Sequence, residues 1–231
     1  MLKLYIGNKN YSSWSMRPWV LLQQAGIAFQ EVMVRFDSFA ADSTFKRQLL
    51  ALNAAGRVPV LVDTDRSPEL VVWDTLAIAE YLAEQFPDKG LWPKDPAARA
   101  RARSVCAEMH SGFGALRANC PMNIEADLSR VGQLIWRDKP EVRRDVERIV
   151  SMWRGLLEDH GGPMLFGAFG IADAYFAPVC MRLSAYALPV PAEIKAYVDR
   201  VRALPGVKAW IDGALAEQDF LDFEEPYRMS R

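Results

Sequence analysis

An α/β domain followed by an all-α domain is the fold this sequence predicts, and three observations predict it. Strand-like and helix-like segments alternate from the first residues to Phe86. A stretch broken by Pro87, Gly90, Pro93 and Pro96 follows. Beyond it, apolar residues recur only at helical spacing. The expected organisation is a first domain over 1–86, a linker over 87–96 and a second domain over 97–231.

The elements follow in order. Leu2 to Ile6 alternates as a strand. Pro18 is best tolerated in a first helical turn, so the next helix is expected to begin near Ser15 or Met16 and to end at Gly26. Ser15 is the cap that this start predicts. Phe29 to Val34 reads as a strand and Thr44 to Leu52 as a helix. Val60–Val62 and Leu70–Val72 are short β-branched runs around a turn-rich segment, hence a hairpin. Thr75 to Phe86 places Leu76, Ala79 and Leu82-Ala83 on one helical face. The order is βαβ, α, ββα. In the second domain the periodicity predicts helices over about 97–118, 123–136, 141–159, 171–186, 192–203 and 206–217.

Composition excludes several function classes. Apolar residues make up 51% of 231, enough for a sizeable core, and the formal net charge is −1. No global charge favours nucleic acid or a membrane surface. No apolar run approaches the roughly 18 residues of a membrane span, and the opening residues read as a strand, not a leader. A cytoplasmic protein is expected. Cys106, Cys120 and Cys180 form no C-x-x-C and read as free, buried or half-buried thiols. His110 and His160 stand alone, which leaves no His-based metal site or triad and no metal expected. Arg99 and Arg103, four apart, read as a solvated helix face.

Three stretches carry chemistry. In "YSSWSMRPWVLL", residues 11–22, Ser12 and Ser13 precede the expected cap and lie beyond the carboxyl end of the first strand. Ligands of α/β sheets bind there, and a helix N-terminus favours an anion such as a thiolate, carboxylate or phosphate. In "GRVPVLV", residues 56–62, Pro59 opens a strand. A cis bond there would free the Val58 backbone to pair with an extended peptide, although only about 5–6% of such bonds are cis. In "WDTLAIAEYL", Asp74 is an N-cap and Thr75 the first helical residue. Together they suit the ammonium and carboxylate of an α-amino acid.

Taken together these stretches resemble the glutathione transferase family. "SSWSMRPWVLL" is similar to the start of its serine-type classes, closest to zeta and tau; "RVPVL" to its cis-proline segment; "WDTLAIAEYL" to its Glu/Gln-Ser helix start; and "GAFGIADAYFAPV", residues 167–179, to the capping box of its helical domain. The resemblance implies a thioredoxin-like first domain and an all-helical second domain. It implies glutathione as co-substrate, a small electrophile as second substrate, and a homodimer. Asp74 stands for the usual Glu or Gln, Thr75 for Ser, and Gly170 for the capping Ser or Thr. Trp14 stands where zeta enzymes carry cysteine, which counts against maleylacetoacetate isomerase activity.

Site roles follow from the resemblance. Asp74 and Thr75 are expected to hold the γ-glutamyl end, Val58 and Pro59 the cysteinyl backbone, and Arg57 the glycyl carboxylate, with Lys46 a weaker candidate. Ser15 is expected beside the bound peptide. Ser12 or Ser13 would hold the thiolate, with Ser12 favoured by the spacing from Arg17. Trp14, Met109 and Phe113 are expected to line the second-substrate pocket. A free thiol has a pKa of about 8.5, and lowering it by about two units takes roughly 2.7 kcal/mol. A charge-assisted hydrogen bond with a helix end is of that size. The alternatives are a non-catalytic binding or regulatory protein, a glutathione-dependent isomerase, peroxidase, dehalogenase or ether-cleaving enzyme, and a cysteine-based thiol transferase.

Overall fold

The computed structural model describes residues 1–231. The first domain is built from β1 (Leu2–Ile6), α1 (Ser13–Gln24), β2 (Phe29–Met33), α2 (Thr44–Leu50), β3 (Val60–Asp63), β4 (Leu70–Trp73) and α3 (Thr75–Gln85). The strands form one sheet in the order β2-β1-β3-β4. β1 runs parallel to β2, with Leu4 opposite Glu31, and antiparallel to β3, with Leu4 opposite Leu61. β3 and β4 form the expected hairpin, Leu61 opposite Val72.

Strand alternation gives the sheet two apolar faces. Leu2, Leu4, Ile6 and Leu61 join the main core with Val20, Leu22, Ile78 and Leu82 of α1 and α3. Val60 and Val62 point the other way, onto Phe45 and Leu49 of α2 and onto Val34 and Phe36. β3 is therefore buried on both faces, and its run of apolar residues shows no polar alternation.

The second domain holds α4 (Pro96–Ser111), α5 (Gly114–Asn119), α6 (Ser129–Asp138), α7 (Pro140–Asp159), α8 (Ile171–Ala185), α9 (Ala192–Ala203) and α10 (Pro205–Glu217). Two helices differ from expectation. The helix expected over 97–118 breaks at Gly112–Phe113. Phe113 is buried with φ at 54°, and a side chain on Gly112 would meet the Glu108 carbonyl at 2.7 Å. The helix expected from 123 begins only at Ser129. Asn10 Oδ1 accepts from the Ile124 and Glu125 N–H groups at 2.8 and 2.9 Å, which holds that segment as a loop.

α8 is buried through Leu183 and packs against α1, α4 and α9. Its Asp173 accepts from the N–H groups of Gly170 and Leu165 and from Tyr197 Oη. That is half of a capping box, because Gly170 has no side chain to return the bond. Burial pushes the Asp173 carboxyl up to about 6. One apolar core runs across both domains, from Leu2 to Trp210. After α10 the chain returns over the first domain, where Tyr11 Oη donates to Glu225 Oε1 at 2.7 Å and Phe223 meets Phe39 edge-on.

Candidate functional site

The turn between β1 and α1 decides what each serine does. The Asn8 carbonyl accepts from the N–H groups of Tyr11 and Ser12. The Ser12 hydroxyl donates to Ser15 Oγ at 2.7 Å and accepts from the Ser15 N–H at 3.4 Å. Ser15 Oγ also accepts from the Gly7 N–H at 3.1 Å. Ser12 is thus the N-cap of α1, and Ser13 is its first residue. The expectation that Ser15 caps the helix fails by three residues; Ser15 is fully buried and lines neither of the cavities described below. The error came from Pro18, which sits inside the helix and leaves the Trp14 carbonyl without its usual donor.

Ser13 is half-buried, and its Oγ accepts from Arg182 Nη2 at 3.3 Å. Its own proton has no acceptor in the chain. Ser12 and Ser13 line a cavity of about 500 Å³ with Trp14, Lys46, Arg57, Val58, Arg117 and Arg182. A second cavity, of about 260 Å³, adjoins it and shares Trp14, Arg57 and Val58. Ala55, Pro59, Trp73, Asp74, Thr75 and His110 complete the second cavity. The Val58–Pro59 bond is cis, as are Ser67–Pro68 and Gly162–Pro163. Val58 precedes β3, and its N–H and C=O make no backbone bond within the chain.

Asp74 caps α3 through Oδ1, which accepts from the Leu76 N–H at 2.8 Å. Its φ of 75° is uncommon for any residue but glycine. The other oxygen lies 3.4 Å from His110 Nε2. Thr75 is buried, and its Oγ1 accepts from Tyr175 Oη at 2.8 Å. As the first helical residue its N–H has no helical partner. The Lys46 ammonium donates to the Gly56 carbonyl at 2.9 Å at the edge of the larger cavity.

Trp14 organises the cations. The Arg17 guanidinium lies 4.3 Å from its ring centroid, Arg117 lies 5.5 Å away, and His110 meets it edge-on at 5.1 Å. Arg17 also stacks on Tyr175 at 4.8 Å. Burial, and to a lesser degree the nearby Arg117, lower Arg17 to about 10. Burial, and then Arg17, lower Arg182 likewise to about 10. Both remain cationic at neutral pH.

Met109 and Phe113 do not line either cavity. Both are buried in the main core, because the apolar face of α4 and the turn after it face inward. The residue of α4 that does line the smaller cavity is His110, one position after Met109. The sequence singles out neither Arg117 nor Arg182, and His110, read there as a lone histidine, is given no place in the site. For Arg182 a signal existed, since it is the only cation in "IADAYFAPVCMRLSA", a segment otherwise apolar but for Asp173, Tyr175 and Ser184. His110 and Arg117 carry no comparable mark. The three cysteines are buried, and burial raises all three thiols, Cys120 to about 12. None is poised as a thiolate nucleophile. No three His, Cys, Asp or Glu side chains converge as a metal-binding group, and no helix is long and apolar enough to cross a membrane.

Comparison with known proteins places this arrangement in context. A family model described as "Glutathione S-transferase, N-terminal domain" matches residues 11–85, and one described as "Glutathione S-transferase, C-terminal domain" matches residues 96–213. The chain is 30% identical over 179 residues to glutathione S-transferase 1 of Dianthus caryophyllus, covering 77% of this chain and 75% of that protein. It is 31% identical over 182 residues to a maleylacetoacetate isomerase of Pseudomonas aeruginosa, covering 77% and 79%. Among solved structures, a glutathione transferase homolog from Burkholderia with bound glutathione superposes with a TM-score of 0.67 at 27% identity, covering 94% of this chain and 99% of that one.

Proposed function

The chain belongs to the glutathione S-transferase family, and from that premise we propose that it is a glutathione S-transferase that activates the thiol of glutathione for attack on a small electrophile. One observation carries this reading. Arg57 and Val58, and Asp74 and Thr75, come from two separated stretches and line one cavity, which opens beside Ser13 through the shared Trp14.

Glutathione matches that cavity end to end. Asp74 Oδ2 accepts from the γ-glutamyl ammonium, and the Thr75 N–H and hydroxyl donate to its carboxylate. The free N–H and C=O of Val58 pair with the cysteinyl backbone as an added strand. Arg57 and Lys46 face the glycyl carboxylate. The second substrate occupies the larger cavity beside Trp14.

The thiol is assigned to Ser13 instead of Ser12. The Ser12 hydroxyl is already engaged as a cap, whereas the Ser13 proton is free and its oxygen is held by Arg182. Ser13 donates to the sulfur, and the N-terminus of α1 and the nearby guanidinium groups favour the charged form. No base is needed, since the thiol proton goes to solvent as glutathione binds. The thiolate then attacks the electrophilic carbon. A homodimer in the cytoplasm is part of this reading, and sedimentation of the purified protein tests the assembly.

The decisive experiment is calorimetric titration with reduced glutathione, followed by ultraviolet difference spectra of the complex near neutral pH. Saturable binding with a thiolate band is expected. Absence of binding at millimolar glutathione would remove the reading and leave a fold kept for a protein partner.

A further inference from the structure

The larger cavity holds more positive charge than bound glutathione would require. Arg117 of α5 and Arg182 of α8 line it, and Arg17 stands behind Trp14. None of these three pairs with a carboxylate. Arg182 donates only to the Cys120 and Pro178 carbonyls and to Ser13 Oγ, and Arg117 donates only to the His110 carbonyl. Nε and Nη1 of buried Arg17 have no partner at all. Arg17 and Arg182 are the only buried arginines of the chain. A buried guanidinium is ordinarily compensated by an opposite charge, and here each is destabilised further by its cationic neighbours.

The rest of the lining sharpens the assignment. Lys46 and Arg57 also line the larger cavity, but both belong to the first domain and are assigned above to the glycyl carboxylate, which leaves Arg117 of α5 and Arg182 of α8 as a separate group. Glu224 is the one carboxylate of the lining and forms no ion pair with any arginine. Pro121 and Met122 supply an apolar wall between α5 and α8. The geometry points to an acceptor substrate that is an organic anion: a carboxylate held between Arg117 and Arg182, carried on an apolar electrophilic body against Trp14 and Met122. This deepens the transferase reading and rests on it. For an aryl chloride of this kind the carbon–sulfur bond forms at the ring carbon bearing chlorine, the carbon–chlorine bond breaks, and chloride leaves with the electron pair.

The test uses three ligands and no turnover. Wild-type protein is titrated calorimetrically with glutathione, with the S-conjugate of glutathione and dinitrobenzoate, and with the methyl ester of that conjugate. The acid is expected to bind about ten-fold or more tightly than the ester, the ratio a charge-assisted bidentate contact gives. Arg117→Gln and Arg182→Gln, which remove the charges, are expected to bring that ratio toward one, with the glutathione titration of each variant reporting that it is folded. Glutathione and ester binding as tightly as the acid would overturn the anionic assignment alone. An undiminished preference in both variants would overturn the role of these arginines. Failure of all three ligands to bind the wild type would overturn the transferase reading and this inference with it.

Discussion

Tyr175 Oη donates to Thr75 Oγ1 across 2.8 Å, joining α8 of the second domain to the first turn of α3. The same tyrosine ring stacks on the Arg17 guanidinium. A residue of the helical domain therefore sets the orientation of the hydroxyl proposed to meet the γ-glutamyl carboxylate. Tyr175→Phe keeps the stacking and removes the bond. It is expected to lower stability by about 1 kcal/mol and to weaken glutathione binding about five-fold. Urea midpoints and calorimetry read the two effects separately. Unchanged affinity would mean that Thr75 needs no orientation.

The two serines separate by the kind of loss they produce. Ser12→Ala removes a helix cap and is expected to cost about 1 kcal/mol of stability with a modest effect on rate. Ser13→Ala is expected to leave stability nearly unchanged and to lower the conjugation rate about a hundred-fold. Chemical denaturation and steady-state kinetics on both variants check this. The reverse pattern would return the thiol to Ser12.

Asp74 combines a capping carboxylate with a positive φ. Asp74→Ala is expected to weaken glutathione binding about ten-fold and to destabilise the fold through the lost cap. Asp74→Gly relieves the backbone at that φ, so it is expected to be more stable than the alanine variant yet to bind equally weakly. Equal stability of the two would show that the backbone there carries no strain.

Glu224 gives a pH dependence with a definite sign. Burial, and then the neighbouring Glu225, raise its carboxyl to about 7. A carboxyl raised on folding contributes its stability fully below its unfolded value, about 4.5, and loses it as pH rises through about 7. Glu224→Gln should therefore match the wild type at acid pH and be more stable above neutrality. Melting temperatures across that range check it; parallel curves would assign the titration elsewhere.

Much of this was legible in the sequence, and the misses have physical causes. Strand alternation from Leu2 to Ile6 and the Asp74 cap could be read because each is a local pattern of a few residues. The helix broken at Phe113 could not, since burial of that ring, and not local spacing, decides the break. The cap moved from Ser15 to Ser12 because the surrounding turn holds Ser12 against the Asn8 carbonyl, a contact that spacing from Pro18 does not encode. The cationic wall was hidden for the same reason, as Arg17, Arg117 and Arg182 meet only once three helices are packed.

The apolar core that runs from Leu2 to Trp210 makes the proline-rich linker a boundary in chain order only. α1 shares its buried face with α8 and α10, and the Gly206 N–H donates to Gln24 Oε1 across the junction. Neither half can shed the other without exposing Trp19, Leu22 and Trp210 together. Calorimetric melting should accordingly show a single cooperative transition, and a chain severed at the linker should yield two fragments that aggregate apart and recover structure only when mixed.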